Sequence, residues 1–217
     1  MNNFYILAHR GVTENGLIDN SLESLTEIKC FKNNIKLGIE FDIQLTSDNK
    51  IIIYHDQNLN NKEVEKTTFN ELKFLDNNII EIDEILVEFN NTNFMLNIEL
   101  KNYSNNYNRL ILFVKILEDI VCKYKINYFY SSFDINISNI LNDCYLISED
   151  INTENVKITN YNNFTKYKNI LGIYTLYDNI DFNESIINSL LSKNIKYLIT
   201  DNVKKLINYL YKDKIII

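Results

Sequence analysis

Proline and tryptophan are missing altogether, and only four glycines and two histidines occur among 217 residues. With no proline and so little glycine, no Pro/Gly/Ser-rich linker divides the chain. No internal repeat is visible either, so one domain spanning residues 1–217 is expected. Cysteine is scarce: Cys30, Cys122 and Cys144 are odd in number and form no C-x-x-C pair, which fits a reduced compartment rather than a disulfide framework. No run approaches 18 consecutive apolar residues, so no transmembrane helix is expected. The start, Met1 to His9, lacks a basic segment and turns polar by His9. It reads as a first strand rather than a secretory signal, and a cytoplasmic location is expected. Positive charge is in deficit, 22 Lys+Arg against 29 Asp+Glu for a net −7, which argues against a nucleic-acid or anionic-membrane partner.

What is present is ample apolar material. At 46% hydrophobic and 12% aromatic the chain can fill a core and is not intrinsically disordered. Asn, Ile, Lys and Tyr are over-used, the residues of AT-rich codons, so abundant Asn is background rather than chemistry. Arginine occurs only at positions 10 and 109. Against that background each retained Arg, His or Gly carries more information than usual.

Strand-like and helix-like segments alternate throughout. Phe4–Ala8, Leu37–Leu45, Ile51–Tyr54, Phe94–Leu100, Ile126–Tyr130, Tyr145–Ser148, Ile170–Leu176 and Tyr197–Thr200 read as strands. Asn20 with Glu23 has capping-box spacing ahead of Leu22, Leu25, Ile28 and Phe31. Leu110, Val114, Leu117 and Val121 form a helical stripe, as do Ile186, Ile187, Leu190 and Leu191, and then Val203, Leu206, Ile207 and Leu210. Alternation of this kind implies a parallel sheet with crossover helices. About eight strands in this length sit at the small end for a closed (β/α)8 barrel, and an open doubly wound sheet is the competing architecture. Between Ile151 and Lys168 polar residues dilute any period.

Two strands carry acids on the face opposite their apolar set. In Leu37–Leu45, Glu40 and Asp42 share one face; in Phe94–Lys101, Asn97, Glu99 and Lys101 do. For one such pair an edge strand with a wet face is an even alternative. Two such strands point instead to acids gathered at the carboxyl end of a barrel. Three carboxylates make an all-oxygen site suited to one divalent cation, Mg²⁺ or Ca²⁺. His9 and His55 both end apolar runs, and two imidazoles can serve as general acid and base. Arg10 follows His9, and its planar fork suits a phosphate oxygen pair. Lys101 could be a counter-ion to the acids or a contact to an anionic substrate. The set points to metal-assisted chemistry on a phosphate ester.

The same residues carry a family resemblance. His9-Arg10-Gly11, Asp19-Asn20-Ser21, Gly38-Ile39-Glu40-Phe41-Asp42-Ile43, Thr46-Ser47-Asp48, His55-Asp56 and Glu99-Leu100-Lys101 resemble, in order, the motifs of the glycerophosphodiester phosphodiesterase family. Ser131-Ser132-Phe133, Tyr174-Thr175 and Thr200-Asp201 resemble its later strand ends. The resemblance implies a single TIM barrel that hydrolyses a small-molecule glycerophosphodiester to an alcohol and glycerol 3-phosphate. It implies Glu40, Asp42 and Glu99 as metal ligands, His9 and His55 as acid and base, and Arg10 and Lys101 as phosphate contacts. Asp19 stands for the family's Glu, Ile18 for its Pro and Tyr174 for its Trp. Asn60 and Asn61 stand near its usual Arg-Thr, and the insertion over 57–93, after the second strand, is short. Those departures fall on glycerol-recognising parts. The rival readings are a related barrel enzyme acting on a lysophospholipid or choline lipid, and a non-catalytic phosphodiester-binding barrel.

Overall fold

The computed structural model describes residues 4–31, 35–175 and 184–212. Met1 to Asn3, Leu176 and the side chains of Ile186, Ile187 and Leu191 lie outside what is described. Eight parallel strands form the framework: β1 (Tyr5–His9), β2 (Leu37–Leu45), β3 (Met95–Leu100), β4 (Asn127–Ser132), β5 (Cys144–Leu146), β6 (Ile158–Asn160), β7 (Gly172–Thr175) and β8 (Tyr197–Thr200). They pair in sequence order and β8 returns to β1. The seam between β5 and β6 closes through a parallel bridge from Ile147 to Ile158, with Lys157 N–H to Leu146 O at 2.9 Å and Ser148 N–H to Ile158 O at 3.2 Å. The ring is a TIM barrel, and the open doubly wound alternative is excluded.

Helices α1 (Leu22–Glu27), α2 (Phe69–Leu75), α3 (Ile82–Phe89), α4 (Tyr107–Val121), α5 (Ile135–Ile140), α6 (Glu184–Ser192) and α7 (Val203–Lys212) connect the strands. The expected stripes pack as anticipated: Leu110, Val114, Leu117 and Val121 are buried, as are Val203, Leu206, Ile207 and Leu210. On β2, Leu37, Ile39, Phe41, Ile43 and Leu45 join the cluster beneath the helices, which turns Glu40, Asp42 and Gln44 into the lumen. Gly38 sits on that inner face because a Cβ there would lie 2.0 Å from the Met95 carbonyl oxygen.

Three expectations need correction. Ile51–Ile53 is a strand but not a barrel stave: it runs antiparallel to the overhanging end of β2, pairing Ile43 with Ile53 and Leu45 with Ile51. The missing stave is β6, three residues inside the polar stretch where no period is legible. Helix α1 is capped by Ser21, whose Oγ accepts the Ser24 N–H at 3.2 Å, and not by Asn20. Between β2 and β3 the chain builds a two-residue hairpin (Asn58–Leu59 with Lys62–Glu63), α2 and α3.

The lower lumen is plugged by rings. Phe129 lies 4.3 Å from Tyr197 and 5.1 Å from Tyr145 between centroids, and Tyr5 stacks on Tyr197 at 6.1 Å. With Leu7, Ile147, Ile158 and Ile199 these residues fill the barrel from below, leaving the polar groups at its carboxyl end.

Candidate active site

Register alone brings most of the site together. Parallel pairing sets His9 beside Glu40, and Asp42 beside Glu99. Oxygens of Glu40, Asp42 and Glu99 all lie within 4.8 Å of one another, and all three side chains are buried. They share a cavity of about 170 Å³ with His9, Arg10, His55 and Lys101, so every residue singled out from sequence lines one space. Phe133, Ile147, Glu149, Tyr174 and Ile199 complete its lining.

Just after β1 the chain reverses through two left-handed residues, Arg10 at φ 52° and Gly11 at φ 91°. Glycine is required at the second, where a Cβ would meet the Ser24 backbone at 2.5 Å. The turn aims the Arg10 N–H at Glu40 Oε2, 3.0 Å away. The Arg10 guanidinium reaches Asp42 Oδ2 through Nε and Asp19 Oδ2 through Nη1, both at 3.2 Å. Asn20, at φ 57°, holds Asp42 as well: its Nδ2 donates to Oδ2 at 2.9 Å and its Oδ1 accepts the Asp42 N–H at 3.3 Å. Lys101 Nζ donates to Glu99 Oε1, lies 3.2 Å from Asp42 Oδ1, and sits 5.4 Å from the Phe133 ring centroid. Arg10 therefore joins Lys101 in balancing the acids. The second arginine, Arg109, stands apart: its Nη2 donates to the carbonyls of Leu45, Thr46 and Glu65 and braces the end of β2.

These contacts divide the three acids electrostatically. Burial raises Glu40 well above the ordinary carboxyl value, and the Asp42 and Glu99 charges push the same way. Burial also raises Glu99, and Lys101 only partly offsets it. Burial opposes ionisation of Asp42 too. There the charges of Lys101, Arg10 and His55 and the Asn20 hydrogen bond prevail and lower its pKa. Burial alone would discharge Lys101, yet the surrounding carboxylates raise it and keep the ammonium charged. Among the described residues Glu40 Oε1 is buried and accepts no hydrogen bond. An orphaned buried oxygen beside two more carboxylates is a donor set that fits a hard divalent cation.

Each imidazole is tied by Nδ1 to a carboxylate, leaving Nε2 for chemistry. His9 Nδ1 lies 2.6 Å from Asp201 Oδ1, with its Nε2 3.9 Å from Glu40 Oε2. His55 Nδ1 lies 2.7 Å from Asp56 Oδ1. Burial lowers His55 below the ordinary histidine value, against the pull of Asp42 and Asp56. The two are not at equivalent places: His9 ends a barrel strand, whereas His55 follows the antiparallel Ile51–Ile53. Sequence reasoning assigns no role to Asp201 or Asp56 and reads Asn20 only as a helix cap, although each stands in or beside one of the family motifs. Tyr174, standing where the family has Trp, donates its hydroxyl to Glu149 Oε1.

With that geometry in view, residues 9–176 match the model of the glycerophosphoryl diester phosphodiesterase family. Similar folds include a glycerophosphodiester phosphodiesterase from Thermotoga maritima at 22% identity and TM-score 0.71, covering 97% of this chain and 99% of that one. One from Parabacteroides distasonis shows 18% identity and TM-score 0.74, covering 98% and 99%. A phosphodiesterase of Oleispira antarctica in complex with sn-glycerol-3-phosphate is similar at 16% identity and TM-score 0.64, over 95% and 96%. No curated protein sequence matches this chain.

Proposed function

This chain belongs to the glycerophosphoryl diester phosphodiesterase family, and on that premise we propose how it cleaves glycerophosphodiesters to an alcohol and glycerol 3-phosphate. The reading is acid/base catalysis by His9 and His55 beside a divalent cation. The observation that carries it is the convergence of three buried carboxylates with two carboxylate-oriented imidazoles in one cavity.

Glu40, Asp42 and Glu99 would hold Mg²⁺ or Ca²⁺. When bound there, the cation supplies Lewis-acid polarisation of a phosphoryl oxygen and offsets the acids' charge. Arg10 and Lys101 bind the phosphate by charge-assisted hydrogen bonds. His55, kept neutral by burial, takes the proton from the attacking hydroxyl through Nε2. His9, flanked by Asp201 and Glu40, gives a proton to the departing alcohol oxygen. One domain in a cytoplasmic setting is the context proposed. The three cysteines are free, and no helix among the described residues is long and apolar enough to cross a membrane.

The apolar side chains of Phe133, Ile147 and Ile199 in the cavity lining favour a second reading, a diester bearing an acyl chain. One assay separates the two: product release from glycerophosphocholine, glycerophosphoethanolamine, lysophosphatidylcholine and an aryl phosphodiester, with and without divalent metal. Metal-dependent release of glycerol 3-phosphate from the first two is the expected outcome. Turnover of lysophosphatidylcholine alone selects the second reading, and no turnover of any of them removes both.

A further inference from the structure

Gln44 is the lumen-facing side chain of β2 that the proposed chemistry does not use, and it is buried. Its Nε2 donates two hydrogen bonds of 2.8 Å, to the carbonyls of Tyr54 and Asp56. The carbonyl between them, that of His55, accepts the Tyr103 hydroxyl at 2.8 Å. The neighbouring backbone is also tied: Tyr54 N–H donates to Asp42 O and Val64 N–H to Gln57 O, both at 3.0 Å. Four successive carbonyls, from Tyr54 to Gln57, are thus engaged in a segment that is neither helix nor strand.

Irregular segments carry few backbone hydrogen bonds of their own and are mobile by default. A general base has to stay within hydrogen-bond reach of its proton, and small misplacements cost rate. Here two side chains from outside the segment pin it at its reactive residue. One stands on rigid β2, two positions beyond Asp42; the other stands two positions beyond Lys101. We propose that Gln44 and Tyr103 are positioning residues that clamp the backbone around His55 and so fix where its ring enters the cavity. The clamp couples the location of that imidazole to the two strands that bring the acids together. It rests on the reading of His55 as a proton carrier.

The test uses Gln44→Leu, which keeps volume and loses both donors, and Tyr103→Phe, which loses one hydroxyl from a partly exposed ring. His55→Ala is measured beside them. The readouts are kcat and KM for the diester turned over fastest, melting temperature, and long-range ¹H–¹⁵N spectra of the imidazoles. Only two imidazole rings exist in the chain, so each signal is assignable. Gln44→Leu is expected to lower kcat about tenfold and Tyr103→Phe about threefold, with KM within about twofold. The His55 ring signals shift or broaden while those of His9 stay in place. If His55→Ala keeps its kcat per folded molecule, the proton-carrier reading fails. If it loses kcat while both clamp variants keep kcat and an unchanged His55 signal, the clamp is overturned. Equal disturbance of both rings, the mark of general loosening, overturns it as well. Should Gln44→Leu not fold, Tyr103→Phe decides alone.

Discussion

Asp201 and His9 are 192 residues apart in sequence, yet Oδ1 of one lies 2.6 Å from Nδ1 of the other. The contact exists because β8 hydrogen-bonds to β1, so a residue just past the end of one strand stands beside the end of the other. A carboxylate at Nδ1 fixes ring orientation and leaves Nε2 available for proton transfer in the proposed mechanism. Asp201→Asn keeps the shape and removes the charge. It is expected to lower kcat by about 10²-fold while metal affinity, measured by calorimetry, stays within about twofold. Undiminished turnover would remove Asp201 from the mechanism.

No third imidazole can substitute for His9 or His55. Each alanine replacement should therefore reduce turnover by about 10²–10⁴-fold per folded molecule. The double variant should fall well short of the product of the two losses, because the pair acts as a unit. Metal binding persists in all three, since the proposed ligands are carboxylates. Near-normal turnover with only a lowered melting temperature would mean that the histidines merely cap strand ends.

Much of this site is legible in the sequence. Strict alternation over Leu37–Leu45 assigns inner and outer faces with no knowledge of partners, and Glu40 and Asp42 follow from it. Direction and partner are not encoded in an apolar run, so Ile51–Ile53 reads as a barrel stave although it pairs antiparallel. Three-residue β6 is too short for a period to emerge from its polar flanks. Asn20 and Ser21 are both good caps one position apart. Only the left-handed backbone at Asn20, which hands its amide to Asp42, decides between them. The contacts of Gln44 and Tyr103 with the segment after Ile51–Ile53 follow no local residue pattern, and Asp201, although it stands in the Thr200-Asp201 motif, meets His9 only because β8 pairs with β1.

Burial raises Glu40 above its unfolded value, with Asp42 and Glu99 adding to the shift. A raised carboxyl stabilises the fold fully below the ordinary carboxyl range, and that contribution is lost as pH climbs through the folded-state value. A divalent cation competes with the same proton, so its binding strengthens as pH rises. The melting-temperature gain on adding Mg²⁺ or Ca²⁺ should accordingly be larger at pH 8 than at pH 5.5. At about 100 times Kd the full gain corresponds to about 2.7 kcal/mol. Glu40→Gln should flatten the pH dependence. Scanning fluorimetry at the two pH values checks it, and an equal or reversed gain would contradict a proton–metal exchange at Glu40.

Lys101 yields the prediction that most separates binding from catalysis. Its ammonium donates to Glu99 Oε1 and lies 3.2 Å from Asp42 Oδ1, so it stands against two of the three proposed ligands. Those carboxylates outweigh burial and keep it charged. On the proposed roles, a fixed positive charge there would repel an incoming cation and attract the substrate phosphate. Lys101→Met keeps an unbranched apolar chain of similar length and removes the ammonium, with its hydrogen bond to Glu99 and its cation–π contact with Phe133. A unit charge at about 4 Å is worth about 4 kcal/mol near a protein surface, and side-chain movement relieves part of it. The variant should therefore bind divalent cation at least about tenfold more tightly by calorimetry, while kcat/KM falls by about 10²-fold through the lost phosphate contact. The metal-free variant should also melt lower, since Glu99 and Asp42 lose their counter-ion. Weaker metal binding in Lys101→Met would show that the lysine supports the cation rather than competing with it, and would return its role to that of a structural partner of Glu99.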